Sequence, residues 1–171
     1  SAVRATVRIG AIVDAIVIAP DQPLSHEVFH DPTLTGESWG PAPDVGDIEL
    51  TVRTAIARRA AAELYDGAVI NYGFGIPDAV AKTVASRGES DRYFQTIEHG
   101  TYGGTLLDGT SFGYARHATA MIDAPSQFDF YSGGGLDIAF LGMGELDAEG
   151  SVNVSKLGGV TLGPGGFIDI A

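Results

Sequence analysis

Hydrophobic and polar positions along the chain follow three successive patterns. Residues 1–19 carry β-branched runs, VRATVRIG and AIVDAIVIA, that predict one or two strands, the second apolar enough to be buried on both faces. From Pro20 to Val45 the periodicity stops, and Pro20, Pro23, Pro32, Pro41 and Pro43 among polar residues predict a long irregular connection. From Asp47 onward strand and helix patterns alternate. Ile48, Val52, Ile56, Ala60 and Leu64 recur every fourth residue and predict a helix through TVRTAIARRAAAEL, with Arg53, Arg58 and Arg59 off the apolar stripe and a stop at Asp66-Gly67. A strand GAVIN follows, then a glycine loop, then a helix PDAVAKTVASRG with Pro77 at its first position and Gly88 at its exit. Further strands are predicted at RYFQTI, FDFY, LDIAFLG, SVNVS and GFIDI. Strands alternating with helices predict an α/β fold, a mainly parallel sheet flanked by helices.

Composition narrows the possible partners. A chain of 171 residues suggests about one domain. Its net charge of −12, from 10 basic against 22 acidic side chains, would repel a phosphate backbone, so nucleic acid is not an expected partner. There is no apolar run long enough to span a bilayer, and SAVRATVRIG lacks the layout of a signal peptide, so no membrane partner is expected. The absence of cysteine excludes disulfides and thiolate-bound metal and favours the cytoplasm.

Several stretches could carry chemistry. His26-Glu27-Val28-Phe29-His30 matches H-E-x-x-H, the zinc protease pattern, which needs both histidines on one helical face. Here it lies between Pro23 and Pro32 in the least periodic part of the chain, so a chance match is the better reading and no metal is expected. His99 and His117 are isolated and read as solvated or structural. The stretch Asn71-Tyr-Gly-Phe-Gly-Ile-Pro77 joins a predicted strand to a predicted helix, where glycines let a ligand approach the backbone and free N–H groups favour an anion. As a dinucleotide fingerprint it fails, because Asp78 stands where a third glycine is required. Glycines also cluster at Ser132-Gly-Gly-Gly-Leu-Asp137 and Gly163-Pro-Gly-Gly-Phe167, and QTIEHGTYGG sets Glu98 at a strand end before Gly100, Gly103 and Gly104. Turns explain any one of these loops. Together they fit the rule that α/β sheets bind ligands at the carboxyl ends of their strands.

The blocks ARRAAAEL, NYGFGIPDAVA, TIEHGTYGG, FDFYSGGGLDIAFLGMGELDAEGSVNVSKLGG and GPGGFIDI, in this order, closely resemble the second half of family I CoA-transferases of the acetate/propionate, short-chain acyl-CoA type. The resemblance runs from about Ala57 to Ala171. It implies that Glu98, in the E-x-G-x-x-G block with Gly100 and Gly103, is the catalytic nucleophile. It implies that Asn71, Gly73 and Gly75, with Ile76 and Pro77, and also Gly142, help bind coenzyme A. It further implies that the Gly163-Gly166 block supplies an oxyanion donor, for which Gly166 is favoured. Coenzyme A then enters as a thioester substrate, with no separate cofactor, and CoA passes between a short-chain acyl-CoA and a carboxylic acid through a glutamyl-CoA thioester.

The resemblance also sets expectations for organisation. Residues 1–45 are expected to be the end of a first half and an inter-domain connection, and residues 46–171 a second domain truncated at its C-terminus. The chain is accordingly expected to be a fragment, inactive alone, whose partners are acyl-CoA, small carboxylic acids, the missing first half of the transferase and further copies in a homo-oligomer. The alternatives are a non-catalytic CoA-transferase-like domain used for binding or assembly and, more remotely, a zinc metalloprotease. A sugar-phosphate isomerase of related fold finds no basic cluster to support it.

Overall fold

The computed structural model describes residues 14–15, 17–23, 28–41 and 43–171. Residues 1–13, together with His26 and Glu27, lie outside them; the described part of the second predicted strand, residues 14–15 and 17–19, is not in a strand, and Val17 and Ile18 are exposed rather than buried on both faces.

Among the described residues the first helix is α1, Val52–Ala61. Thr51 caps it by accepting from the Thr54 N–H, and the Thr54 hydroxyl meets the Thr51 N–H in return. Strand β1, Val69–Tyr72, leads through a glycine loop to helix α2, Ile76–Ser86, in which Pro77 occupies the first turn and Gly88 (φ 66°) follows the exit. Strand β2, Phe94–Ile97, ends at Glu98. Four two-residue strands follow: β3, Thr101–Tyr102; β4, Thr105–Leu106; β5, Ala115–Arg116; and β6, Ala120–Met121. Helix α3, Ala124–Phe130, leads through a wide turn to β7, Ile138–Phe140. Two small ribbons, β8 (Glu145–Leu146) with β9 (Val152–Asn153) and β10 (Lys156–Leu157) with β11 (Val160–Thr161), precede the short helix α4, Phe167–Ile170.

The principal sheet has the order β6-β3-β2-β1-β7. Strands β2, β1 and β7 are parallel, while β3 and β6 extend the sheet antiparallel, so the parallel part is its functional centre rather than the whole. Register aligns Asn71 of β1 with Thr96 of β2 and with Ala139 of β7. Alternation along β1 then divides the two faces. Ile70 and Tyr72 join Ala57, Ala61, Val80 and other small residues of α1 and α2 in the apolar core. Asn71 and Thr96, equally buried, point to the opposite face, where Tyr131 from the end of α3 meets them. Among the described residues no helix is long and apolar enough to cross a membrane.

Three further expectations need correction. The apolar stripe of α1 is rotated by one position from the predicted one. Ala57 and Ala61 are the buried residues, whereas Val52 is 82% exposed and Ile56 is turned toward an open cleft. Small alanines let α1 lie close against α2, and that contact outweighs the side-chain hydrophobicity that favoured isoleucine and valine. FDFY is helical because Asp123 caps the segment by accepting from the Ser126 N–H at 3.0 Å and Pro125 supports the first turn. GFIDI likewise forms a helical turn rather than a strand.

The rotation of α1 can be tested by chemical denaturation. Val84→Ala, at a fully buried site of α2, should cost about 2 kcal/mol through lost burial and the cavity left behind. Val52→Ala should change stability by less than about 0.5 kcal/mol. Equal losses at the two positions would restore the stripe read from periodicity.

Candidate active site

The carboxyl ends of β2, β1 and β7 open onto one cleft of about 950 Å³. Strand β1 is followed in sequence by β2 on one side of it, and β7 joins on the other, so the cleft stands at the point where strand order reverses. Six glycines line it: Gly73 and Gly75 after β1, Gly142 and Gly144 after β7, and Gly165 and Gly166 before α4. A second cavity, of about 50 Å³ beside Lys82 and Gln95, is too small for an organic substrate.

Glu98 is the only polar or charged side chain that lines the cleft among the described residues; the other side chains there are apolar, such as Ile56, Phe74, Met143 and Leu157. Its Oε2 atom is buried and has no hydrogen-bond partner among the described residues. Burial of this oxygen without a partner carries a desolvation cost that an ordinary loop acid would avoid, while the side chain as a whole lines the cleft.

Close backbone packing holds the loops. The Gly73 N–H donates to the Phe140 carbonyl at 2.8 Å, and a Cβ on Gly73 would stand 2.9 Å from that same oxygen. Across from it, a Cβ on Gly142 would stand 2.9 Å from the Phe74 carbonyl. The two loops therefore meet backbone to backbone, and glycine is required on both sides. Beside Glu98, Gly100 has φ 99° and a Cβ there would fall 2.0 Å from the Ile122 carbonyl, so the turn that presents Glu98 admits no other residue.

Asp78, which broke the dinucleotide pattern, is buried and ion-paired with Arg53 at 2.6 Å. The same guanidinium nitrogen also donates to the Gly75 carbonyl, so Arg53 ties the glycine loop to the first turn of α2. Nothing in the pattern of the sequence connected Arg53 with this loop.

The structure thus brings Glu98, Gly73, Gly75, Gly142 and Gly166 to one cleft. Asn71 is not brought to it. Its side chain is fully buried under the loop, its amide oxygen accepting from the Tyr131 hydroxyl at 3.2 Å. In the 163–166 block, the Gly163 N–H is occupied by the Ser155 carbonyl at 3.1 Å, whereas the amides of Gly165 and Gly166 have no partner among the described residues. His99 is exposed and packs edge-on against Phe112, and His117 reaches the Ser38 carbonyl at 3.3 Å, fastening the irregular connection. His30 meets Glu37 at 3.0 Å, and no group of three or more His, Asp or Glu able to hold a metal ion occurs among the described residues.

No family model matches the chain. Caffeate CoA-transferase of Acetobacterium woodii is 40% identical over 169 residues, which span 94% of this chain and 32% of that relative. Acetate CoA-transferase YdiF of Escherichia coli (strain K12) is 39% identical over 169 residues, 95% of this chain and 31% of the relative. The chain therefore spans about a third of the length of these curated relatives. Among solved structures, the thioester complex with CoA of the acyl-CoA transferase YdiF from E. coli O157:H7 superposes with a TM-score of 0.60 at 37% identity, covering 84% of this chain and 28% of that one. The decarboxylase AibA/AibB superposes at 0.51 with 27% identity, covering 64% of this chain and 48% of that one. The resemblance to CoA-transferases carried by the sequence motifs is borne out over nearly the whole chain.

The geometry of the turn beside Glu98 has a measurable consequence. Gly163→Ala, at φ 82° with open space around it, should cost about 1–2 kcal/mol from backbone conformation alone. Gly100→Ala adds a collision with the Ile122 carbonyl and should cost at least about 2 kcal/mol more. Denaturant midpoints that coincide for the two variants would refute this account of the turn.

Proposed function

We propose that this CoA-transferase-like chain carries the nucleophile and part of the coenzyme A site of an enzyme that moves CoA from an acyl-CoA to a carboxylic acid. The observation that carries the reading is the solitary Glu98 carboxylate, with one oxygen buried and unpartnered, in an apolar cleft rimmed by glycines. Similarity to named CoA-transferases over nearly the whole chain supports it.

The steps follow from the chemistry of a carboxylate and a thioester. A Glu98 oxygen adds to the thioester carbonyl carbon, and the negative charge moves to the carbonyl oxygen. The C–S bond then breaks, giving an acyl-glutamyl anhydride and CoA thiolate. The thiolate adds to the glutamyl carbonyl and expels the donor acid as its carboxylate, leaving CoA bound to Glu98 as a thioester. The acceptor carboxylate repeats these two steps in reverse order, leaving as the new acyl-CoA and restoring Glu98. Electrons and charge balance without an oxidant, a reductant or a metal, so coenzyme A serves as substrate and no resident cofactor is required.

Each part of the cleft has a place in this scheme. The glycines let the thioester approach without a Cβ in its path. The unpartnered N–H groups of Gly165 and Gly166 are the donors of their loop open to an oxyanion; one such donor contributes roughly 3 to 4 kcal/mol. Gly163, already bonded to Ser155, is excluded from that role. The apolar walls keep water from the anhydride and the glutamyl thioester, either of which it would hydrolyse. Contacts to the remote parts of coenzyme A supply binding energy that draws the reacting atoms together. Asn71 supports the loop from beneath, so its contribution to coenzyme A binding is indirect.

In the full-length transferase that carries this chain, incubation with acetyl-CoA and no acceptor acid should place a CoA adduct on Glu98, detected by intact mass and peptide mapping and released by hydroxylamine. Glu98→Ala should abolish the adduct and lower transfer by roughly 10⁴-fold or more. An adduct that survives the substitution would end the assignment.

A further inference from the structure

Behind the cleft lies a buried polar layer that the proposed chemistry does not use. The Thr96 hydroxyl lies 2.7 Å from the Ile70 carbonyl and 2.5 Å from the Tyr131 hydroxyl, which lies 3.2 Å from the Asn71 side-chain oxygen; the two hydroxyl protons serve two of these three contacts at a time. Asn71 and Thr96 are cross-strand partners in the register of β1 and β2. One phenol thus bridges two parallel strands where both end, two residues before Gly73 and two residues before Glu98. Gln127, fully buried one turn earlier in α3, lies beside the hydroxyls of Tyr102 and Tyr131. An apolar face would cover a sheet at lower cost than this one, because each polar group here gives up water for a small number of partners.

We infer that Tyr131 is a positioning residue for Glu98: its hydroxyl fixes the ends of β1 and β2 relative to each other and so sets where the nucleophile and the coenzyme A loop leave the sheet. Glu98 follows β2 directly, two residues after Thr96, and its carboxylate is near enough to the phenol to act on it electrostatically. Burial, first, and the nearby Glu98 charge push the Tyr131 hydroxyl up to about 12, so it remains a neutral donor throughout the neutral range. Its ring is anchored independently, edge-on to Phe128 at 6.4 Å and tilted against Phe130 at 6.1 Å. Removing the hydroxyl alone leaves that packing in place. The inference rests on the transferase reading for its kinetic consequence and on strand geometry for its structural one.

Tyr131→Phe separates the two. In the full-length transferase, with acetyl-CoA and a carboxylate acceptor, kcat should fall roughly 10- to 100-fold while KM for acetyl-CoA changes less than about twofold, as expected when a nucleophile is misplaced by about an ångström. Thr96→Val, which removes the hydroxyl that Tyr131 meets, should give the same split, and Thr96→Ser should recover most of the rate. Hydrogen exchange provides a readout independent of the reaction. In Tyr131→Phe the amides of Gly73 and Gly100, at the strand ends, should exchange roughly five- to tenfold faster. The Phe94 amide, bonded to the Ala68 carbonyl at the other end of the same strand pair, should be unchanged. Equal acceleration at all three amides, or none, would overturn the inference, as would an unchanged kcat in a protein whose Glu98 forms the CoA adduct. A wild-type protein with no adduct, whose Tyr131→Phe variant nonetheless shows the local exchange pattern, would support the tie and remove the transferase reading instead.

Discussion

The site depends on how closely β1 approaches β7 where the two strands end. The Gly73 N–H reaches the Phe140 carbonyl at 2.8 Å, and neither Gly73 nor Gly142 has room for a side chain against the backbone opposite. This contact extends the parallel ladder one residue beyond β1, and the loops that follow stay backbone to backbone, Gly142 against Phe74, as one wall of the cleft. A bulkier residue at either glycine would push the loops away from each other and remove the wall facing Glu98.

Electrostatically the cleft is sparse. Elsewhere several acids are ion-paired, Asp78 with Arg53 and Asp66 with Arg92 each at 2.6 Å. Glu98 has no such partner at its buried oxygen. A cation beside it would stabilise the carboxylate in its ground state and weaken it as a nucleophile. An apolar cleft does the reverse, and it excludes the water that would consume an acylated intermediate. The polar groups that the fold does bury lie one layer deeper, in the Asn71, Thr96 and Tyr131 network. There they can orient the strand that bears Glu98 without competing for its oxygens.

The candidate site was more legible in the sequence than the fold around it. Glu98, Gly73, Gly75, Gly142 and Gly166 were each picked out by the resemblance of short ordered blocks, and at Gly73 and Gly142 a backbone that comes within 3 Å of another backbone gives the physical reason for the glycine. Helix α2 was visible for a similar local reason: Pro77 and Gly88 mark its ends, and its buried face is rich in valine and alanine. FDFY failed as a strand because its aromatic residues suit either state, and the deciding signals, Asp123 and Pro125, lie just upstream. The stripe of α1 failed because periodicity fixes which residues share a face, while the neighbour decides which face is buried.

The sequence by itself determined the chemical inventory: one acid at a strand end, glycine loops on either side of it in chain order, and an acidic chain without cysteine. These are properties of residue type and local spacing. Only the tertiary structure decided that the three loops share one cleft, that Arg53 secures the Gly75 loop, that Asn71 lies beneath the cleft, and that Tyr131 bridges the strands on which Glu98 and Gly73 stand. Each of these is a meeting of groups distant along the chain, set by the register of parallel strands and by which face a helix turns inward. Local pattern carries no information about either, because both are decided by the packing of the whole.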